Sequence, residues 1–223
     1  MASEVDICNL ALADLGDAAK VSSISPPDTS AQAGHCARFY PMARDELLDM
    51  HDWDFATYRV ALAAITLPSV VTTWTYAYAL PSNVLNIIAI LDPNAADDYS
   101  VGIPLPYTTP QVLPGTAGVE TPQPFAVEVI NGSPVVLTNQ VDAVMRYTAV
   151  VTDTAQFSPL FTAGLTKLLA AKLAGPVLKG AEGRAARKEL MQEFLLWKGE
   201  AMTSDANQRR IRPAPGASWI VGR

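Results

Sequence analysis

His35 and His51 are the two histidines of the chain, and Cys8 and Cys36 its two cysteines, so imidazole and thiol chemistry have few ways to be built. His35 and Cys36 are adjacent. On a helix adjacent side chains diverge by about 100°, so this pair cannot share a proton or a metal without a third group. A small thiol facing the core beside a surface imidazole is the ordinary arrangement. A denser set follows: Asp45, Glu46, Asp49, His51, Asp52 and Asp54. Asp45 and Asp49 are one helical turn apart and point the same way, as a pair of carboxylates holding a divalent cation would. A calcium site needs six or more oxygens on a glycine-bearing loop, and that spacing is missing. The cluster reads as an acidic patch facing water or a partner, with no metal expected.

No phosphate-cradling GxxxxGK[ST], no GxGxxG, no GxSxG and no HExxH occurs. No cofactor is expected either, and an enzyme is disfavoured. The aromatic segments His51-Asp52-Trp53-Asp54-Phe55 and Trp74-Thr75-Tyr76-Ala77-Tyr78 could stack nucleobases, but such platforms carry interleaved cations. Here the nearest is Arg59. Packing is the better reading, and the alternation of Trp74, Tyr76 and Tyr78 predicts all three on one face of a strand.

The elements that must hold these residues fall into three zones. Helices are expected from Glu4 to Asp17, with Val5, Cys8, Leu12 and Leu15 as its apolar stripe, and from Thr29 to His51. Pro41 lies inside the second and predicts a kink near Ala37 to Tyr40 or a break into two pieces. From Trp53 to Val151 short β-branched and aromatic runs predict strands at Ala56–Leu67, Thr73–Ala79, Leu85–Leu91, Phe125–Ile130, Val135–Thr138 and Ala143–Val150. Asn131-Gly132 marks a hairpin, and one small antiparallel sheet is expected. The proline- and glycine-rich stretch from Asp92 to Gln123 is a long irregular excursion, a kind of loop that is commonly functional. Helices resume from Phe157 to Leu178 and from Ala181 to Asp205, where Leu190, Phe194, Trp197 and Ala201 form a 4-3-4 seam. An extended C-terminal arm closes the chain.

The 223 residues are 49% hydrophobic and 17% charged, enough for a substantial core. Two cysteines make no disulfide framework, and a reducing compartment is expected. The acidic N-terminus does not resemble a secretory signal. The apolar segments Val60–Val71 and Gly164–Leu178 are shorter than the ~20 residues a membrane span needs, so no span is expected. A mean hydropathy of +0.16 hints at apolar surface covered by other subunits. The formal charge of −6 and pI of about 4.9 disfavour a dedicated nucleic-acid binder. That charge is polarised: residues 1–152 carry 5 basic and 16 acidic side chains, residues 153–223 carry 11 and 6. In a repeating assembly the basic end of one copy can meet the acidic end of another.

A set of short segments lies in order along residues 5–205: Asn9-Leu10-Ala11-Leu12 with Leu15-Gly16; Ala33, Tyr40, Arg44, Leu47, Trp53, Asp54 and Phe55; Trp74 through Pro81; Arg146-Tyr147; Asp153 through Phe161; and Leu168 through Ala174. In this the chain resembles the tail tubular protein A family, the head-to-tail adaptors of short-tailed phages. The resemblance implies an α+β fold: an antiparallel helical bundle from residues 1–52 and 153–205, a β-rich insertion at 53–152, and an arm at 206–223. It implies a ring of roughly twelve copies joining the portal to the tail nozzle, tail fibres as further neighbours, and DNA passing through without specific binding. The virion neck would be its location, after assembly in the host cytoplasm. Arg209, Arg210, Arg212, Trp219, Ile220 and Val221 are then candidates for portal binding. Asp45, Asp49, Trp74, Tyr76, Tyr78, Arg187 and Lys188 are candidates for the ring interface. Two readings of other classes compete: a head-completion factor that binds DNA ends, and a small hydrolase.

Overall fold

The computed structural model describes residues 2–69, 71–93 and 122–208. The fold is α+β, and the chain divides into two compact units. Within the described residues, one unit joins the two ends of the chain, residues up to Thr57 and Thr148–Asn207, and the other runs over Tyr58–Tyr147.

The first unit is helical. Helix α1, Glu4–Asp14, opens on a capping box in which Ser3 Oγ accepts from the Asp6 N–H and the Asp6 carboxylate accepts from the Ser3 N–H. The same bonds hold the Asp6 carboxyl below its usual pKa. The helix closes at Gly16, whose φ of 73° suits a residue without a Cβ. The Gly16 N–H bonds to Ala13 O and the Asp17 N–H to Leu12 O. Its buried stripe is Ile7, Cys8, Ala11 and Leu12, with Leu15 just beyond; Val5, expected on the stripe, is only half-buried. Asp28 then organises the turn into α2, accepting from the N–H and hydroxyl of both Ser22 and Ser30, which holds its carboxyl well below the usual range. Ser30 in turn caps α2, Ala31–Asp49.

Helix α2 is one uninterrupted element with Pro41 inside it, so of the two expected outcomes, a kink or a break, the break does not occur. Tyr40, Ala43, Arg44, Leu47 and Leu48 are buried on both sides of the proline, and packing of that face outweighs the missing backbone donor. Helix α3, Pro159–Leu178, is capped by Ser158 with proline at its first turn. Contacts with α1, α2 and α4 make it the centre of the unit, and Phe161, Leu165, Leu168, Leu169 and Leu173 are fully buried. At twenty residues α3 is longer than the apolar stretch read from Gly164. By length and composition alone it could cross a membrane, which corrects the expectation that no segment is long enough. Helix α4, Gly180–Ala206, turns back through Lys179 at φ 58°. Gly183 lets it approach α3: a Cβ there would stand 2.7 Å from Ala174 O.

The second unit is β-rich and holds two sheets, not the single sheet expected. Strands β1 (Thr57–Ala61), β4 (Val84–Leu91) and β7 (Val144–Ala149) form one, in the order β1-β7-β4. Strands β2 (Ala64–Ile65), β3 (Tyr76–Ala79), β5 (Phe125–Ile130) and β6 (Ser133–Thr138) form the other, in the order β2-β3-β6-β5. The run read as one strand over Ala56–Leu67 is interrupted between β1 and β2, which places its two halves in different sheets. The β5–β6 hairpin turns at Asn131-Gly132, with φ of 52° and 80° and Ile130 paired to Ser133, the two-residue turn that matches strand twist. Cross-strand pairing of Ala77 with Leu137 and Leu137 with Ala126 defines a core face, on which Leu67, Val71, Trp74 and Ile130 also pack.

Candidate functional site

The acidic corner after α2 is where the structure gathers titratable groups. Trp53 anchors it: the indole is fully buried and its Nε1–H donates to Leu47 O at 2.9 Å. Phe161 stands edge-on to Trp53 at 5.1 Å and to Phe55 at 4.9 Å, and Phe157 packs against Phe161 at 4.8 Å. The last turn of α4 reaches the same corner through Asp205. Asp205, nearly buried, accepts from the Asp54 N–H at 3.1 Å and shares a hydrogen bond with His51 Nε2 at 3.1 Å. Burial pushes the Asp205 carboxyl above its usual pKa, opposed by the bonds from Asp54 and His51. Thr148 Oγ1 donates to Asp52 at 3.2 Å.

Asp205 falls outside the acidic cluster that the sequence displays, because 151 residues separate it from Asp54. The signal for it is its spacing: it extends the seam Leu190, Phe194, Trp197, Ala201 by four, so a carboxylate occupies a position that faces the core. Trp197 departs from that seam and is 36% exposed, while Leu190, Phe194 and Ala201 are buried.

The other acidic groups are used differently. Asp45 accepts from Arg44 Nε at 2.8 Å, and Glu46 pairs with Lys172. No group of three or more metal-ligating residues occurs among the described residues. Cys8 and Cys36, both buried in α1 and α2, are free thiols in mutual contact; that contact and burial push the Cys8 thiol up. His35 is half-buried on α2.

The interface candidates divide between the two units, Asp45, Asp49, Arg187 and Lys188 in the helical one and Trp74, Tyr76 and Tyr78 in the β-rich one. Asp49 lies on the exposed side of α2, and Arg187 and Lys188 are exposed on α4. Tyr76 and Tyr78 share a face of β3, with ring centroids 6.4 Å apart. Tyr78 is buried and its hydroxyl donates to Gln140 O at 2.9 Å, which removes it from any surface. Trp74 precedes the strand and packs with Ala77 and Leu137 on the opposite face, so the expected three-aromatic face is a two-tyrosine face. The candidates Arg209, Arg210, Arg212, Trp219, Ile220 and Val221 lie outside the described residues, as does most of the Asp92–Gln123 excursion. No family model matches the chain, and no curated protein matches it.

Proposed function

We propose that this chain is a structural virion protein, a ring-forming head-to-tail adaptor that joins the portal of a short-tailed phage to its tail nozzle and leaves a channel for DNA. The observation that carries the reading is the way the helical unit is closed by both ends of the chain, with the β-rich unit issuing between them. This is the organisation that the resemblance implies. The hydrogen bonds of the acidic corner agree with it: Asp205 bonds to both His51 and the Asp54 N–H across elements far apart in sequence, which is a structural clasp. In the ring, the acidic first part of the chain would line the channel, because carboxylates repel phosphates and keep DNA sliding. The basic, tryptophan-bearing arm would dock in a groove of the portal.

Attachment of the full chain to purified portal, seen by negative stain and counted by particle mass, tests the reading. Rings seated on the portal are expected. Deletion of residues 207–223 is expected to abolish attachment, and unchanged attachment without them removes the arm from the mechanism.

A further inference from the structure

Strand β5 ends its sheet. It pairs with β6 alone, so its outer N–H and C=O groups have no strand beside them among the described residues. Strand β4 ends the other sheet. The Gln123 N–H, just before β5, donates to Ile90 O of β4 at 2.7 Å. Between the two strands lies a cleft of about 1110 Å³, walled by Val84, Leu85 and Ile87 of β4 and by Phe125, Val127 and Ile130 of β5. Edge strands are ordinarily shielded by prolines, bulges or several charges. The register of β5 on β6 is unbroken, and its single charge is Glu128, exposed and in no ion pair among the described residues. Val127 and Val129 flank it at 50% and 72% exposure. An open apolar edge beside an apolar cleft suits an extended strand, whose backbone continues the ladder while alternate side chains enter the cleft.

The chain itself carries a segment that fits. The occupant must be strand-forming, must keep its backbone donors and must suit an acidic unit, since residues 58–147 hold 6 acidic and 2 basic side chains. Residues 208–223 hold 4 basic and no acidic ones. Near their end stands Trp219-Ile220-Val221, an aromatic and β-branched run with no proline after Pro215. Residues 209–223 can span up to roughly 50 Å, against a radius of gyration of about 12 Å for a compact unit of about ninety residues. A tether of that length makes the encounter intramolecular, at an effective concentration that a second copy in dilute solution does not reach.

We propose that residues 217–223 add to the open edge of β5 in the same chain, as the fifth strand of that sheet, with the Trp219-Ile220-Val221 run against the cleft and the arginines of the arm against the acidic unit. The free chain thereby stores its arm on its own β-rich unit. Storage of an arm meant for portal rests on the adaptor reading; the docking itself does not. Trp219, Ile220 and Val221 then have two alternative partners, and portal must displace them from β5 before it can take them.

Cross-linking tests the contact. Full-length chains carrying Val129→Cys and Ser218→Cys are treated with a short bis-maleimide and mapped by peptide mass; the native thiols are both fully buried. A link within one chain is expected in the free protein. The reference is Met42→Cys with Ser218→Cys, because Met42 is 55% exposed on α2 of the helical unit; it is expected to link at least about tenfold less. Ile220→Asp, which lies outside the described residues, is expected to lower the β5 link at least about tenfold by placing an unpaired charge against the cleft. Val127→Lys is expected to do the same from the other side, with circular dichroism to confirm folding. Equal yields from the β5 and α2 cysteines, or a β5 link indifferent to Ile220→Asp, would overturn the proposal. A link found only between chains would give the edge to a second copy's arm and overturn it too. No β5 link, with rings still seated on portal, would overturn the docking and leave the adaptor reading intact. A β5 link from chains that ignore portal would sustain the docking and remove the adaptor.

Discussion

Asp205 concentrates the physics of the helical unit at one carboxylate. It bonds the last turn of α4 to the corner that follows α2, and its burial holds the acid form in favour. A folded-state pKa above the unfolded one means that the native chain binds the proton more tightly. This group therefore supports the fold most fully below the ordinary carboxylate pKa, and that support fades as pH rises through the raised value. Asp205→Asn keeps an acceptor for the Asp54 N–H and a partner for His51 without the charge. Urea unfolding is expected to show little loss at neutral pH and a flatter pH profile than the native chain. Asp205→Ala leaves both partners wanting and is expected to cost about 1–3 kcal/mol. Equal stability of the alanine variant would show that the clasp contributes nothing. The local half of this site, from His51 to Asp54, was legible as a cluster. The distant half was legible only as a spacing, because no local rule says which seam position will meet a polar corner.

At the scale of elements, helix α4 provides its own control. Gly183 and Gly199 sit on the same helix, one against the Ala174 carbonyl and the other with open space at its Cβ position. Gly199→Ala is expected to stabilise by about 0.5–1 kcal/mol through lower chain entropy in the unfolded state. Gly183→Ala must push α4 off α3 and is expected to destabilise by about 1–3 kcal/mol. Thermal melts of the two variants decide, and a shift of the same sign in both would contradict the close approach. Helices and strands were largely legible because apolar periodicity and the Asn131-Gly132 turn are local signals; the serine caps Ser3, Ser30 and Ser158 and the Gly16 stop are equally local, and the structure adds them. What local rules missed needed tertiary information. The strand run after Ala56 splits because its halves join different sheets, and Trp74 turns away because it lies outside β3; for Pro41 local rules left a kink and a break both open, and the buried flanks decide against the break.

For the molecule as a whole, charge separates the structural reading from the DNA-end-binding one. With 16 acidic and 5 basic side chains in residues 1–152, the surface of the first two-thirds repels phosphate. Filter retention of duplex ends by the free protein is expected to be undetectable at about 0.15 M salt. Tight, salt-sensitive retention would favour the head-completion alternative. The interleaving of the two units has another outcome, for biosynthesis. Helices α1 and α2 find their main partner, α3, only after some hundred intervening residues have been made. Such distant pairings are slow to form. A nascent chain leaving the ribosome therefore carries the bare leucine and isoleucine flanks of its first two helices until α3 has been made. Chaperone occupancy should peak in that interval and drop once Phe161 through Leu173 emerge.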